Sequence, residues 1–105
     1  MLGRTLVAVM GEFGRTPKVN PNAGRDHWNF CYSLLLAGGG IKGGFVYGSS
    51  DKMGSHPASN PVLPAEIIAT IYQCLGIPHT YELQDRLNRP FMLVPWGSPI
   101  PDLLA

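Results

Sequence analysis

The run Thr5-Leu6-Val7-Ala8-Val9-Met10 constrains this chain more than any other stretch. It is rich in β-branched and apolar residues at successive positions, so a strand built from it shows apolar side chains on both faces. A strand buried on both sides belongs to a parallel sheet covered by helices. The rest of the chain offers little cover. It has 13 glycines and 10 prolines among 105 residues, and its pattern supports one good helix. The sequence therefore reads as a single incomplete domain over residues 1–105, part of a larger α/β domain.

Bulk properties exclude several function classes. A formal net charge of +1 gives no electrostatic footprint for nucleic acid or an anionic membrane surface. No apolar run reaches the roughly 18 residues needed to span a bilayer, so no membrane span is expected. Met1-Leu2-Gly3-Arg4-Thr5 lacks the basic region and long apolar stretch of a signal peptide. Cys31 and Cys74 sit in apolar surroundings without CxxC spacing; they read as buried thiols, not as a disulfide or a metal pair.

Along the chain, residues 5–10 form an interior strand ending at Gly11, and a long loop runs from Glu12 to about Asn29. Loops of that length are usually functional or disordered, and this one holds the turn signal Asn20-Pro21-Asn22. Residues 30–37, FCYSLLLA, read as a second buried strand. Gly38-Gly39-Gly40-Ile41-Lys42-Gly43-Gly44 fits a GxGxxG expression, but a dinucleotide fingerprint needs a helix next, and strand-like Phe45-Val46-Tyr47 follows. A tight turn between short strands accounts for it better. Residues 48–64 are polar and turn-rich. The helix runs from about Pro64 to Leu75, with proline in its first turn, Glu66 near its positive end and Gly76 as a left-handed stop. Ile67, Ile68, Ile71, Tyr72 and Leu75 form an apolar stripe expected to face the sheet. A last short strand is expected at residues 91–94, FMLV.

The chemistry-bearing residues gather behind the first strand. Glu12, Arg15, Arg25, Asp26 and His27 fall within sixteen positions of a chain with few charges elsewhere. Loops beyond the carboxyl ends of strands are where α/β sheets place ligands. Glu12 can serve as a hard metal ligand or general base, or can cap backbone or pair with Arg15. Asp26-His27 pairs a carboxylate with an imidazole, both metal ligands; on an extended segment the neighbours point to opposite sides, so one can ligate while the other orients. Alternatively they are a loop aspartate and a packed histidine. Arg15 and Arg25 can hold a phosphate or sulfate bidentately, and at least one is expected in an ion pair with Glu12 or Asp26. His56 and His79 read as surface or packing histidines. Thr16, Ser33, Ser49 and Ser50 lack the GxSxG context of a nucleophile.

With those residues in hand, the chain resembles the C-terminal part of the family catalogued as domain of unknown function 1501. The segments that carry the resemblance are GEFGRTPKVN (11–20), AGRDHW (23–28), LLAGGGIKGG (35–44), VYGSSDKMG (46–54), PVLPAEIIATIYQCLGI (61–77) and the spacing from Asp85 to Leu104. Where the family commonly reads GRP, this chain has Asn88-Arg89-Pro90, a mild departure because asparagine tolerates the left-handed conformation. That family is in turn similar, more distantly, to the alkaline phosphatase and sulfatase superfamily.

The resemblance implies the C-terminal portion of an alkaline-phosphatase-like three-layer fold, with about three to four short strands and one clear helix here. It implies Glu12 and His27 as metal ligands and Asp26 as ligand or second-sphere partner, with zinc, manganese or calcium as the divalent metal. Arg15 and Arg25 would contact the anion. The superfamily carries Asp-His after its strand where this chain has Glu12-Phe13, and phenylalanine cannot coordinate. The parent would be a metal-dependent hydrolase of sulfate or phosphate esters, extracytoplasmic like many relatives. Its nucleophile and remaining acidic ligands would lie outside this chain, which alone would be inactive. The partner is then the missing N-terminal part of the domain or an equivalent surface. Two alternatives stand beside this reading: a non-catalytic binding or structural module of the same fold, and a truncated fragment with apolar faces exposed around 5–10 and 30–37.

Overall fold

The apolar run behind the N-terminus does make a strand. In the computed structural model, which describes every residue from Met1 to Ala105, β1 spans Leu6–Val9. Seven more short strands follow: β2 Gly14–Arg15, β3 His27–Trp28, β4 Leu35–Gly38, β5 Ser49–Ser50, β6 Pro57–Ser59, β7 Glu82–Gln84 and β8 Pro90–Met92. The helix α1, Pro64–Cys74, lies between β6 and β7. The strands form four two-stranded sheets, β1 with β4, β2 with β3, β5 with β6 and β7 with β8. The last three pairs are antiparallel. The architecture is mixed α/β, with small antiparallel sheets and one helix.

Eight strands replace the three to four expected. The additional ones are two or three residues long, too short to show a period of two, and are made by cross-strand pairing inside the loops. Residues 30–34 stay outside β4, and 45–47 precede rather than form a strand. The two-sided burial expected of residues 5–10 is not supplied within this chain: Val7 is 38% and Val9 61% exposed. Leu34 and Leu35 are exposed as well. The glycine run behaves as expected, with a turn at Gly39-Gly40, positive φ at Gly38, Gly40 and Gly44, and no helix after it.

The chain divides into two compact units. The first comprises residues 1–6, 37–44 and 62–105 and holds every buried residue: Ile67, Ala69, Thr70, Val94 and Ile100. Proline opens α1, and the Glu66 carboxylate accepts the Leu63 N–H at 2.8 Å, satisfying one orphan donor at the helix start. Gly76, at φ +77°, ends the helix in the left-handed conformation expected of it. Only part of the expected stripe is covered. Ile67 is buried, but Ile68 and Leu75 are 43% and 62% exposed. The tail explains the shift. Gly97 lies so close that a Cβ there would meet the Ala65 carbonyl carbon at 2.5 Å, and the Ile100 N–H donates to Thr70 Oγ1 at 3.0 Å. The C-terminal segment thus packs against α1 at Ala65 and at Thr70. β7 and β8 close a hairpin in which Asn88 has φ +59°, the conformation expected at the Asn-for-Gly position.

The second unit comprises residues 7–36 and 45–61. It holds β2, β3, β5, β6 and all five candidate site residues.

Candidate functional site on the β2–β3 ribbon

β2 and β3 form a two-residue ribbon with Gly14 opposite Trp28 and Arg15 opposite His27. Close approach makes glycine necessary at position 14, where a Cβ would lie 2.6 Å from the Cys31 carbonyl oxygen and 2.8 Å from the Tyr32 Cβ. The loop between the strands is held by its own polar groups. Thr16 N–H donates to the Asp26 carbonyl at 3.0 Å, and Asp26 N–H returns to Thr16 Oγ1 at 3.1 Å. Asn20 organises the tip: its Oδ1 accepts the N–H groups of Asn22 and Gly24 at 3.0 and 2.9 Å. Its Nδ2 donates to Asp26 Oδ1 at 3.2 Å. Such side-chain bonds to nearby backbone are what asparagine offers a turn.

Both arginines bond to the loop through one guanidinium nitrogen each. Arg25 Nη1 donates to the carbonyls of Thr16 and Pro17, each at 2.8 Å. Arg15 Nη1 donates to the Arg25 carbonyl at 3.2 Å. The expected ion pair with Glu12 or Asp26 does not form; Arg89 pairs with Asp85 elsewhere. Arginine prefers a carboxylate, yet one guanidinium nitrogen can bridge two carbonyls, and the loop presents them.

His27 is held differently. Its ring stacks on Phe13, with centroids 3.7 Å apart and planes 26° from parallel. This is a diagonal cross-strand pair, since Arg15 is the residue directly opposite His27. The Arg15 guanidinium carbon lies 5.5 Å from the same phenyl centroid. Glu12, Asp26 and His27 are all exposed. No hydrogen bond engages the Glu12 carboxylate or either ring nitrogen of His27. The three donors share the ribbon and its lead-in, but the chain gathers no group of three His, Cys, Asp or Glu side chains around a common metal position.

The other face of the ribbon meets the β5–β6 hairpin. Trp28 Nε1 donates to the Ser55 carbonyl at 2.7 Å. Its ring contacts Phe30 edge-on at 4.9 Å and His56 at 5.8 Å, so His56 is the packing histidine the sequence suggests. Asp51 shapes the hairpin turn by accepting the N–H groups of Met53 and Ser55 at 3.2 and 2.8 Å. An open groove of about 790 Å³ runs along this junction, lined by Thr16, Lys18, Asn20, Asp26, Trp28 and Met53 among others. Cys31 and Cys74 are free and half-buried, and burial pushes the Cys74 thiol up.

Sequence reasoning passed over Phe13, because it cannot coordinate, and Asn20, which it took only as a turn signal. A cross-strand stack between positions so far apart in sequence leaves no local pattern. Over residues 1–104 the chain matches the family described as Protein of unknown function (DUF1501), and it belongs to that family. No curated protein and no solved structure matches it.

Proposed function

We propose that this chain is the C-terminal, metal-contacting segment of a sulfate or phosphate ester hydrolase with an alkaline-phosphatase-like three-layer fold, exported from the cytoplasm in its parent form. The observation that carries the reading is the ribbon itself. It follows β1 directly, pairs Arg15 with His27 and sets Asp26 beside His27, with Glu12 leading in. The donor chemistry fits a zinc, manganese or calcium ion in part. Glu12 and His27 are exposed and keep their ligating atoms unengaged, and Asp26 accepts one bond, from Asn20, at Oδ1. No group of three donors is gathered here, and the reading puts the remaining ligands and the nucleophile outside these residues. A divalent ion in such a site would stabilise charge on a phosphoryl or sulfuryl oxygen and acidify a bound hydroxyl. Arg15 and Arg25 stand near the same ribbon as anion contacts, each with guanidinium nitrogens beyond the one bonded to carbonyl.

The test is a thermal melt of the chain with and without zinc or manganese, repeated for His27→Ala. A ligand that binds only the native state stabilises it by about 2.7 kcal/mol at 100 times its Kd. A metal-induced rise lost in His27→Ala supports the reading. No rise in the chain or in its longer parent overturns it.

One observation favours a second reading, a non-catalytic module of the same fold. Arg25 and Arg15 are bonded to carbonyls of the loop they belong to, a loop-building role that needs no anion. Under this reading Arg25→Ala would loosen the loop and leave sulfate and phosphate binding by the parent unchanged.

A further inference from the structure

We infer that the open side of α1 is an association surface whose occupant is a second copy of this chain, packed about a twofold axis; it needs no metal. At about 100° per residue, Pro64, Ile68 and Leu75 project within about 40° of one another, with Ile71 and Tyr72 on either side. Ile68 and Leu75 are 43% and 62% exposed, and Leu63, just before the helix, is 61% exposed. The chain's own tail packs elsewhere on α1, at Ala65 and Thr70. The helix thus turns one apolar side inward, at Ile67, and a second outward. A helix apolar on more than one side is one that other protein covers.

Area, charge and spacing select a second copy. The chain exposes 7915 Å², whereas a folded monomer of its mass exposes about 5,800 Å². Two copies that each lose this surplus of about 2,100 Å² bury an area inside the roughly 2,000–5,000 Å² range of obligate interfaces. A net charge of +1 gives two copies little mutual repulsion. Glu66, the one charged residue of α1, projects from the opposite side, with its carboxylate on the Leu63 N–H. The strip itself carries no charge. A twofold axis crossing α1 between Ile71 and Tyr72 runs the two helices antiparallel and sets Ile68 against the Leu75 of the second copy, twice. The rows Ile68–Tyr72 and Ile71–Leu75, four residues apart, are the ridges that such packing interlocks.

Sedimentation velocity of the chain, from micromolar to sub-millimolar concentration, should show a monomer–dimer equilibrium. Ile68→Lys and Leu75→Lys each put two ammonium groups into the symmetric contact and should raise the dimer Kd about tenfold or more. Both positions are exposed, so the far-ultraviolet helix signal should be unchanged in either variant. Leu87→Lys, equally exposed but in the β7–β8 turn, should leave the dimer intact. Combining Ile68→Lys with Leu75→Glu places opposite charges across the twofold and should dimerise more tightly than Ile68→Lys alone. A chain that stays monomeric at every concentration overturns the inference and leaves the strip to a covering layer of another protein. Association that neither lysine on α1 weakens, or that Leu87→Lys weakens as much, overturns it by placing the contact elsewhere. A double variant no tighter than Ile68→Lys overturns the antiparallel twofold.

Discussion

The two units of this chain are held together by different physics. The unit built on α1 contains all five buried residues, and its stability comes from apolar burial and close backbone approach along the helix. The unit that carries the ribbon has no buried residue at all. Its order comes from turn-forming asparagine and aspartate, from Arg25 bridging two carbonyls, and from stacked aromatic rings. Burial stabilises without direction, whereas hydrogen bonds and stacks fix orientation while contributing modest net energy. A scaffold and a loop platform differ in that way. Substitutions in the first unit should therefore change global stability, and those in the second should change local order.

The largest effect is expected from Ile67→Ala, which removes most of one of the two isoleucine side chains in the core. A change of this kind costs about 2–5 kcal/mol, measured as a lowered midpoint in urea denaturation. A loss below half a kcal/mol would mean that the first unit is not held by this core. Thr70→Val tests the polar half of the same contact. Thr70 is fully buried, donating to the Glu66 carbonyl at 2.7 Å and accepting from Ile100 N–H at 3.0 Å. Valine keeps the shape but strands the Ile100 N–H, a cost of about 1–3 kcal/mol. Thr70→Ser should keep the bonds and lose less than valine does; the reverse order would place the value of Thr70 in its methyl group.

How much of this could be read from the sequence follows the same division. The helix was legible within a residue at its end, because proline, Glu66 and Gly76 are local signals that act through neighbouring backbone. Its covered side was not, because the tail that packs there is some thirty residues away at Ile100. Likewise β5, β6 and β7 hide in turn-rich sequence, since two or three residues cannot display alternation. The position of the charged loop behind β1 was visible in the apolar run and the charges after it. The bonds of Arg15 and Arg25 to loop carbonyls and the stack on Phe13 were not, because they depend on the register of Arg15 with His27. Residue type names the chemistry available. Register decides which of it is used.

Asn20→Ala sharpens the contrast from the other side. It removes the acceptor for two backbone N–H groups and the donor to Asp26. The expected loss is about 0.5–1.5 kcal/mol per bond at most, and it should fall on residues 16–26. Faster amide exchange confined to that loop, with the Ile67-dependent transition unmoved, is the expected result. An equal drop in the global midpoint would mean that the two units unfold as one.

The smallest effect belongs to the β7–β8 turn and is seen only in acid. Asp85 accepts the N–H groups of Leu87 and Arg89 and pairs with the Arg89 guanidinium at 2.6 Å. The Arg89 backbone N–H is the main reason its carboxyl titrates below the usual value, helped by the guanidinium and by Leu87 and opposed by desolvation. A depressed folded value means that the unfolded chain takes up the proton first as pH falls. The contribution is therefore complete above the ordinary carboxylate pKa of about 3.9 and is lost as pH drops through the lower folded value. Asp85→Asn should flatten that part of the stability profile below about pH 4. Because the pair is exposed, the change at neutral pH should be slight. A profile identical to the parent's in acid would mean that the turn keeps its geometry without the charge, and that here too backbone shape outweighs electrostatics.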